Sequence, residues 1–155
     1  MRTLILLLAL CFLPVSALAR PVVVVPHTRL LNPVCLADAA REFDVPLAAL
    51  AGLLAAEGGR EGEAIGNSNG TFDLGPFQIN TCNLNELAAQ GFTPDAILTD
   101  GCVNAHAAAW ILRREYARTG DLWLAIGAYH SRTPHLRDAY IARVKRQLAR
   151  LGASL

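Results

Sequence analysis

The chain is short of net charge, of long apolar runs and of cofactor motifs. Its 155 residues hold 14 Lys and Arg against 13 Asp and Glu, a formal net charge of +1. A nucleic-acid-binding domain normally carries a basic excess, so no nucleic-acid partner is expected. No apolar run approaches the roughly 20 residues needed to span a bilayer, so no transmembrane segment is expected once a leader is removed. A glycine-rich phosphate loop and a Ser-His-Asp order signature are both missing. His130 and His135 lie close together with Asp138 nearby, but not at zinc-ligand spacing; neither a metal nor a cofactor is expected. What is present is apolar material. With 53% hydrophobic and 17% charged residues, a largely disordered chain is excluded, and the length suits one domain with a real core.

The first segment reads as an address. One positive charge at Arg2 precedes an apolar run over residues 4–13, and Ala17-Leu18-Ala19 supplies small residues for a signal peptidase. Residues 1–19 are therefore expected to be a secretory signal peptide cleaved after Ala19, taking the mature chain to the periplasm. Cys11 follows Leu10, where lipid attachment wants a small residue, and is expected to leave with the leader. Export implies an oxidising compartment, in which Cys35, Cys82 and Cys102 allow one disulfide and leave one thiol over; composition does not choose the pair.

Residues 20–33, rich in Val and Pro, read as an extended lead-in to a domain over 34–155. Apolar periodicity predicts a short amphipathic helix over 35–43, and a helix over 46–57 with Asp44 as its N-cap. The second helix holds no charge before Glu57, which predicts a place at the centre of the core. Residues 60–81, crowded with Gly, Asn and Ser, read as a loop with a small β-hairpin. Helices are predicted over 84–90, near 93–95, over 102–118 and from Asp121 to Ala128. His106 and Trp110 read as packed side chains on the long helix, and Trp123, on the next, as packed or stacked on a sugar ring. The last helix is the clearest amphipath. Leu136, Tyr140, Ile141, Val144, Leu148 and Leu151 share one face, and Arg137, Arg143, Lys145, Arg146 and Arg150 share a face read as solvated.

Glu57 stands out as an acid closing an apolar helix. Burial and the negative helix C-terminus both disfavour its ionised form and raise its pKa, which is what a general acid needs. The loop that follows, from Asn67 to Asn80, packs amides, hydroxyls and glycines together. Amide side chains donate and accept, which suits sugar hydroxyl and acetamido groups.

Several motifs occur in a fixed order. Glu57-Gly58-Gly59 comes first, then Asn69-Gly70-Thr71-x-Asp73-x-Gly75-x-x-Gln78-Ile79-Asn80. Cys102-x-Asn104, Ala109-Trp110-Ile111-Leu112 and Ala128-Tyr129-His130-Ser131 follow. In this order and spacing the chain resembles the soluble lytic transglycosylase domain, over residues 34–145. It most resembles small members associated with secretion, conjugation and pilus assembly. The resemblance implies a mainly α, lysozyme-like fold with a small β-hairpin region beside the active-site cleft. It implies cleavage of peptidoglycan glycan strands between N-acetylmuramic acid and N-acetylglucosamine, with 1,6-anhydro ring formation and Glu57 as the single catalytic acid. Gln78, Asn80, Phe77 and His130 are then expected to bind substrate, and Tyr129 to face the acid and orient it. His130 stands where many relatives carry Asn, and Gly66 where they carry a small polar residue. The resemblance pairs Cys35 with Cys102, with Cys82–Cys102 as the alternative. Secretion or conjugation machinery is the implied partner beyond the glycan. Two other readings stay open: a hydrolytic lysozyme using Glu57 with Asp73, and a non-catalytic wall-binding or assembly subunit.

Overall fold

A computed structural model describes residues 20–25 and 28–155; the expected signal peptide lies outside the described residues. Helix starts follow capping chemistry. Asn32 accepts hydrogen bonds from the backbone N–H of Val34 and Cys35 at 3.0 and 3.1 Å, and Pro33 occupies the first turn. This extends α1 (Pro33–Glu42) upstream of the predicted start, because the cap satisfies amides that would otherwise lack partners. Asp44 does not cap α2 (Leu47–Glu57). It sits at φ +49° in the turn before it, and Pro46 is the cap residue. Gly58, left-handed at φ +64°, ends α2 directly after Glu57.

The loop over 60–81 carries more sheet than predicted. β2 (Glu63–Gly66), β3 (Phe72–Leu74) and β4 (Ile79–Asn80) form an antiparallel meander. The lead-in adds a further strand, β1 (Val22–Val24), with Val23 opposite Ala64. Other bonds hold the lead-in down. Gly101 N–H donates to the Arg29 carbonyl at 2.7 Å, and Leu31 N–H to Glu61 Oε1 at 2.7 Å. Gly66 N–H donates to the Pro21 carbonyl at 2.7 Å, and a Cβ on Gly66 would lie 2.5 Å from Pro21 Cγ. The crossing lead-in thus accounts for glycine at 66, since any side chain there would collide with it.

A 3₁₀ turn at Thr81–Asn83 leads into α3 (Leu84–Ala89), α4 (Pro94–Thr99), α5 (Gly101–Thr119), α6 (Leu122–His130) and α7 (Pro134–Arg150). The centre of the core is α5 rather than α2. Ala105, Ala107, Ala108, Ala109, Ile111 and Leu112 are all buried, a pattern that requires neighbours on every side. Small residues allow that close approach, with α1, α4 and α6 packed around α5. α2 contributes Leu50 and Leu53 to the same core but leaves Leu47 exposed. A disulfide from Cys35 to Cys102 joins the starts of α1 and α5; Cys82 is a free, exposed thiol. The fold is mainly α, lysozyme-like, with its small sheet beside the end of α2. No described helix is long and apolar enough to cross a membrane.

Candidate active site

Glu57 is half-buried at the last turn of α2. Burial raises its pKa, outweighing a hydrogen bond from Tyr140 and the charge of Arg143; the charge of Asp73 adds slightly to the rise. The Tyr140 hydroxyl donates to Glu57 Oε1 at 2.5 Å. Tyr140 is 3% exposed and its own ionisation is strongly suppressed, first by burial and then by Glu57's charge, so it remains a donor. From the sequence it read as a packing residue on the apolar face of the last helix. A phenol among aliphatic positions was the available signal, because a buried hydroxyl needs a partner.

Tyr129, expected to orient the acid, instead donates its hydroxyl to the Phe77 carbonyl at 2.9 Å. It still feels Glu57. Burial first, then the charges of Glu57 and Asp73, hold its pKa well above the usual range. Phe77 itself is a correction. Its side chain is fully enclosed in the core, so it cannot touch substrate; only its backbone serves the site. His130 is exposed at the C-terminal end of α6, and its ring stacks on Tyr140 at 4.6 Å with 5° between planes. The acid, Tyr140 and His130 therefore form a continuous row.

Gln78 occupies the left-handed region at φ +48°. This conformation is costly for a non-glycine residue and persists only where its surroundings enforce it. Here Gln78 Nε2 donates to the Gly75 carbonyl at 2.9 Å and packs against Gly59, where a Cβ would lie 2.4 Å from that nitrogen. Gln78 thus lies against the residue two positions beyond the acid. The turn is anchored below by Asn104, fully buried. Its amide accepts from Phe77 N–H at 2.9 Å and donates to the carbonyls of Leu74 and Ile97 at 3.0 and 2.8 Å.

Asn80 lines the groove. It donates to Asp73 Oδ1 at 2.8 Å and to Thr71 Oγ1 at 2.9 Å. Asn67 donates to Asp73 Oδ2 at 2.9 Å. Both Asp73 oxygens are therefore engaged by amides. From these side chains a cavity of about 540 Å³ extends past Tyr129 and His130 to Arg132 and the buried Glu115. Glu115, 1% exposed and surrounded by arginines, was not singled out from the sequence. Neither tryptophan lines this groove. Trp110 lies under Arg114 at 5.3 Å and Trp123 under Lys145 at 4.6 Å. His106 pairs with Glu42 at 2.9 Å.

Comparisons with known proteins concern the sequence. Residues 34–148 match the transglycosylase SLT domain. The chain is 29% identical over 100 residues to Protein IpgF of Shigella flexneri, covering 64% of this chain and 66% of the relative. It is 30% identical over 105 residues to the invasion protein IagB of Salmonella typhimurium, covering 67% and 66% respectively. It is 32% identical over 81 residues to the X polypeptide of Escherichia coli, covering 48% of each chain. The matched part thus spans just under two thirds of the first two relatives and about half of the third.

Proposed function

We propose, for a chain that belongs to the transglycosylase SLT domain family, that it cleaves the glycan strand of peptidoglycan between N-acetylmuramic acid and N-acetylglucosamine, without water. The observation that carries this reading is the environment of Glu57. Glu57 is an acid at the end of an apolar helix with its pKa raised by burial, the direction that a proton donor requires.

The row of side chains suggests how the proton is used. Tyr140 donates to Oε1, which leaves Oε2 to carry the acidic proton. Glu57 gives that proton to the glycosidic oxygen as the bond to the muramic acid anomeric carbon breaks. Positive charge develops on that carbon, and the sugar's own acetamido oxygen can stabilise it. Glu57, now a carboxylate, takes the proton of the same sugar's C6 hydroxyl, and the C6 oxygen attacks to close a 1,6-anhydro ring. One group acting as acid and then base follows microscopic reversibility. Gln78, Asn80 and His130 would hold the sugars through amide and ring nitrogen groups, and Tyr129 would line the groove.

Asp73 bears on the hydrolytic alternative. Both oxygens of Asp73 accept amide hydrogen bonds, from Asn67 and Asn80, which gives it a task in holding the sheet. Each oxygen keeps a further lone pair, so the products of digestion decide between a one-acid and a two-carboxylate mechanism. A leader over residues 1–19, as read from the sequence, would direct this action to the periplasm. The likeness to Protein IpgF and to the invasion protein IagB supports local wall opening for a secretion, conjugation or pilus apparatus.

Digestion of purified sacculi tests the reading. Wild-type protein should release 1,6-anhydromuropeptides, identified by mass spectrometry, and Glu57→Gln should abolish release. Reducing ends in their place would indicate a lysozyme, and no product would indicate a binding or assembly subunit.

A further inference from the structure

Tyr140 donates its hydroxyl to Glu57 Oε1 at 2.5 Å. The hydroxyl oxygen of a tyrosine lies on the axis of the torsion that turns its ring. Rotation about that axis leaves the oxygen in place but swings the O–H bond, which prefers the ring plane because the oxygen conjugates with the ring. The plane of the Tyr140 ring therefore decides where its proton points. That torsion is broad in aromatic side chains, so a neighbour has to fix it.

His130 is that neighbour. Its ring centroid lies 4.6 Å from that of Tyr140, with 5° between the planes. His130 is itself well placed to act as a stop. It is the last residue of α6, whose end is fastened to the sheet turn by Tyr129, donating to the Phe77 carbonyl at 2.9 Å. Just beyond it, Ser131 N–H donates to the Gly127 carbonyl at 3.1 Å. Arg143 lies over the same phenol, its Cζ 5.8 Å from the ring centroid. Burial first, then the charge of Arg143, lowers the His130 pKa against a smaller pull from Asp73, so at pH 7 the stack is mainly one of neutral rings. His130 meets Tyr140 with its face, which leaves its edge nitrogens for a sugar.

We infer that His130 is a positioning residue for the acid: its stacked ring sets the plane of the Tyr140 phenol and thereby aims the O–H bond that Glu57 accepts. This rests on the reading of Glu57 as the acid and deepens it.

The test is a double-mutant cycle on soluble glycan fragments, with His130→Asn, His130→Phe and Tyr140→Phe. His130 is exposed, so its variants should fold. His130→Asn removes the flat ring and should lower kcat about twofold to tenfold, the range of an aromatic pair. His130→Phe keeps a flat ring without nitrogens and should restore kcat. In the Tyr140→Phe background no O–H bond remains to be aimed, and His130→Asn should lower kcat no further. An equal loss of kcat in both backgrounds overturns the inference. So does an effect of His130→Asn confined to KM, or a loss in His130→Phe as large as in His130→Asn.

Absence of cleavage by the wild type would count against the reaction instead, and a carbon-detected NMR titration of the Glu57 carboxyl then reads the positioning. The Tyr140 bond lowers the Glu57 pKa, while the other groups acting on it, Arg143 of α7 and Asp73 of β3, are kept in every variant. His130→Asn should therefore raise the Glu57 pKa in the otherwise wild-type protein and leave it unmoved in Tyr140→Phe. Equal shifts in both backgrounds, or none in either, would overturn the inference.

Discussion

At the residue scale, two carboxylates are buried in opposite ways. Desolvation raises the pKa of Glu57, whereas hydrogen bonds and charges from arginines outweigh the burial of Glu115 and lower its pKa. The consequences for stability have opposite signs. Because the folded protein holds the Glu57 proton more tightly than the unfolded chain, its contribution is fully present below the usual carboxylate range and is lost as pH rises through the raised value. Glu57→Gln should therefore raise the Tm more at pH 8 than at pH 4, as measured by calorimetry. An equal gain at both values would mean that Glu57 is not desolvated. The contribution of Glu115 runs the other way and fades as pH falls through its lowered value. Tyr140→Phe removes the hydroxyl that donates to the acid. A hydrogen bond to a charged group contributes about 1.5–3 kcal/mol, so kcat should fall about tenfold to a hundredfold with KM nearly unchanged. Steady-state assays on soluble glycan fragments would read this split.

At the element scale, the site depends on one helix end meeting one sheet turn. Gly59 N–H donates to the Pro76 carbonyl at 3.2 Å, and a Cβ on Gly59 would come within 2.2 Å of the Gly75 carbonyl oxygen. Gly59→Ala should push the turn off α2, displacing Gln78, and cost about 2 kcal/mol or more. At Gly58 a Cβ meets open space, so Gly58→Ala should cost only the left-handed strain, about 1 kcal/mol. Urea denaturation of the two variants checks that order. The helices were legible from apolar periodicity and caps. A small hairpin within residues 60–81 was legible from its turn residues, and β2, β3 and β4 lie there. The lead-in strand was not, because its partner in β2 lies some forty residues away. Asn104, legible only as part of a motif, owes its role to three bonds that no spacing rule forecasts.

For the whole molecule, the acid lies where the end of α2 meets α7 through Tyr140, and the neighbouring groove is lined from the sheet, α3, α5 and α6, far apart in sequence. Glu57 drew notice as an acid ending an apolar helix, and only the motif order that follows it singled it out further. Tyr140 and Glu115 did not, because what singles them out is a neighbour on another element. The disulfide braces this assembly by tying α1 to α5 across a separation of 67 residues. Closing a loop of that length removes about 4 kcal/mol of unfolded-state entropy in the chain model. Cys35→Ser with Cys102→Ser should therefore lower unfolding free energy by up to about 4 kcal/mol, read by chemical denaturation, while Cys82→Ser should leave it nearly unchanged.

The lead-in strand has a practical consequence for recombinant work. A product trimmed at Pro33 would retain every groove-lining side chain yet bare the hydrogen-bonding edge of β2 that β1 now covers. Uncovered edges recruit other chains. The shortest soluble-looking boundary would thus be the one most prone to self-association during purification, and crystallisation trials are better begun at Arg20.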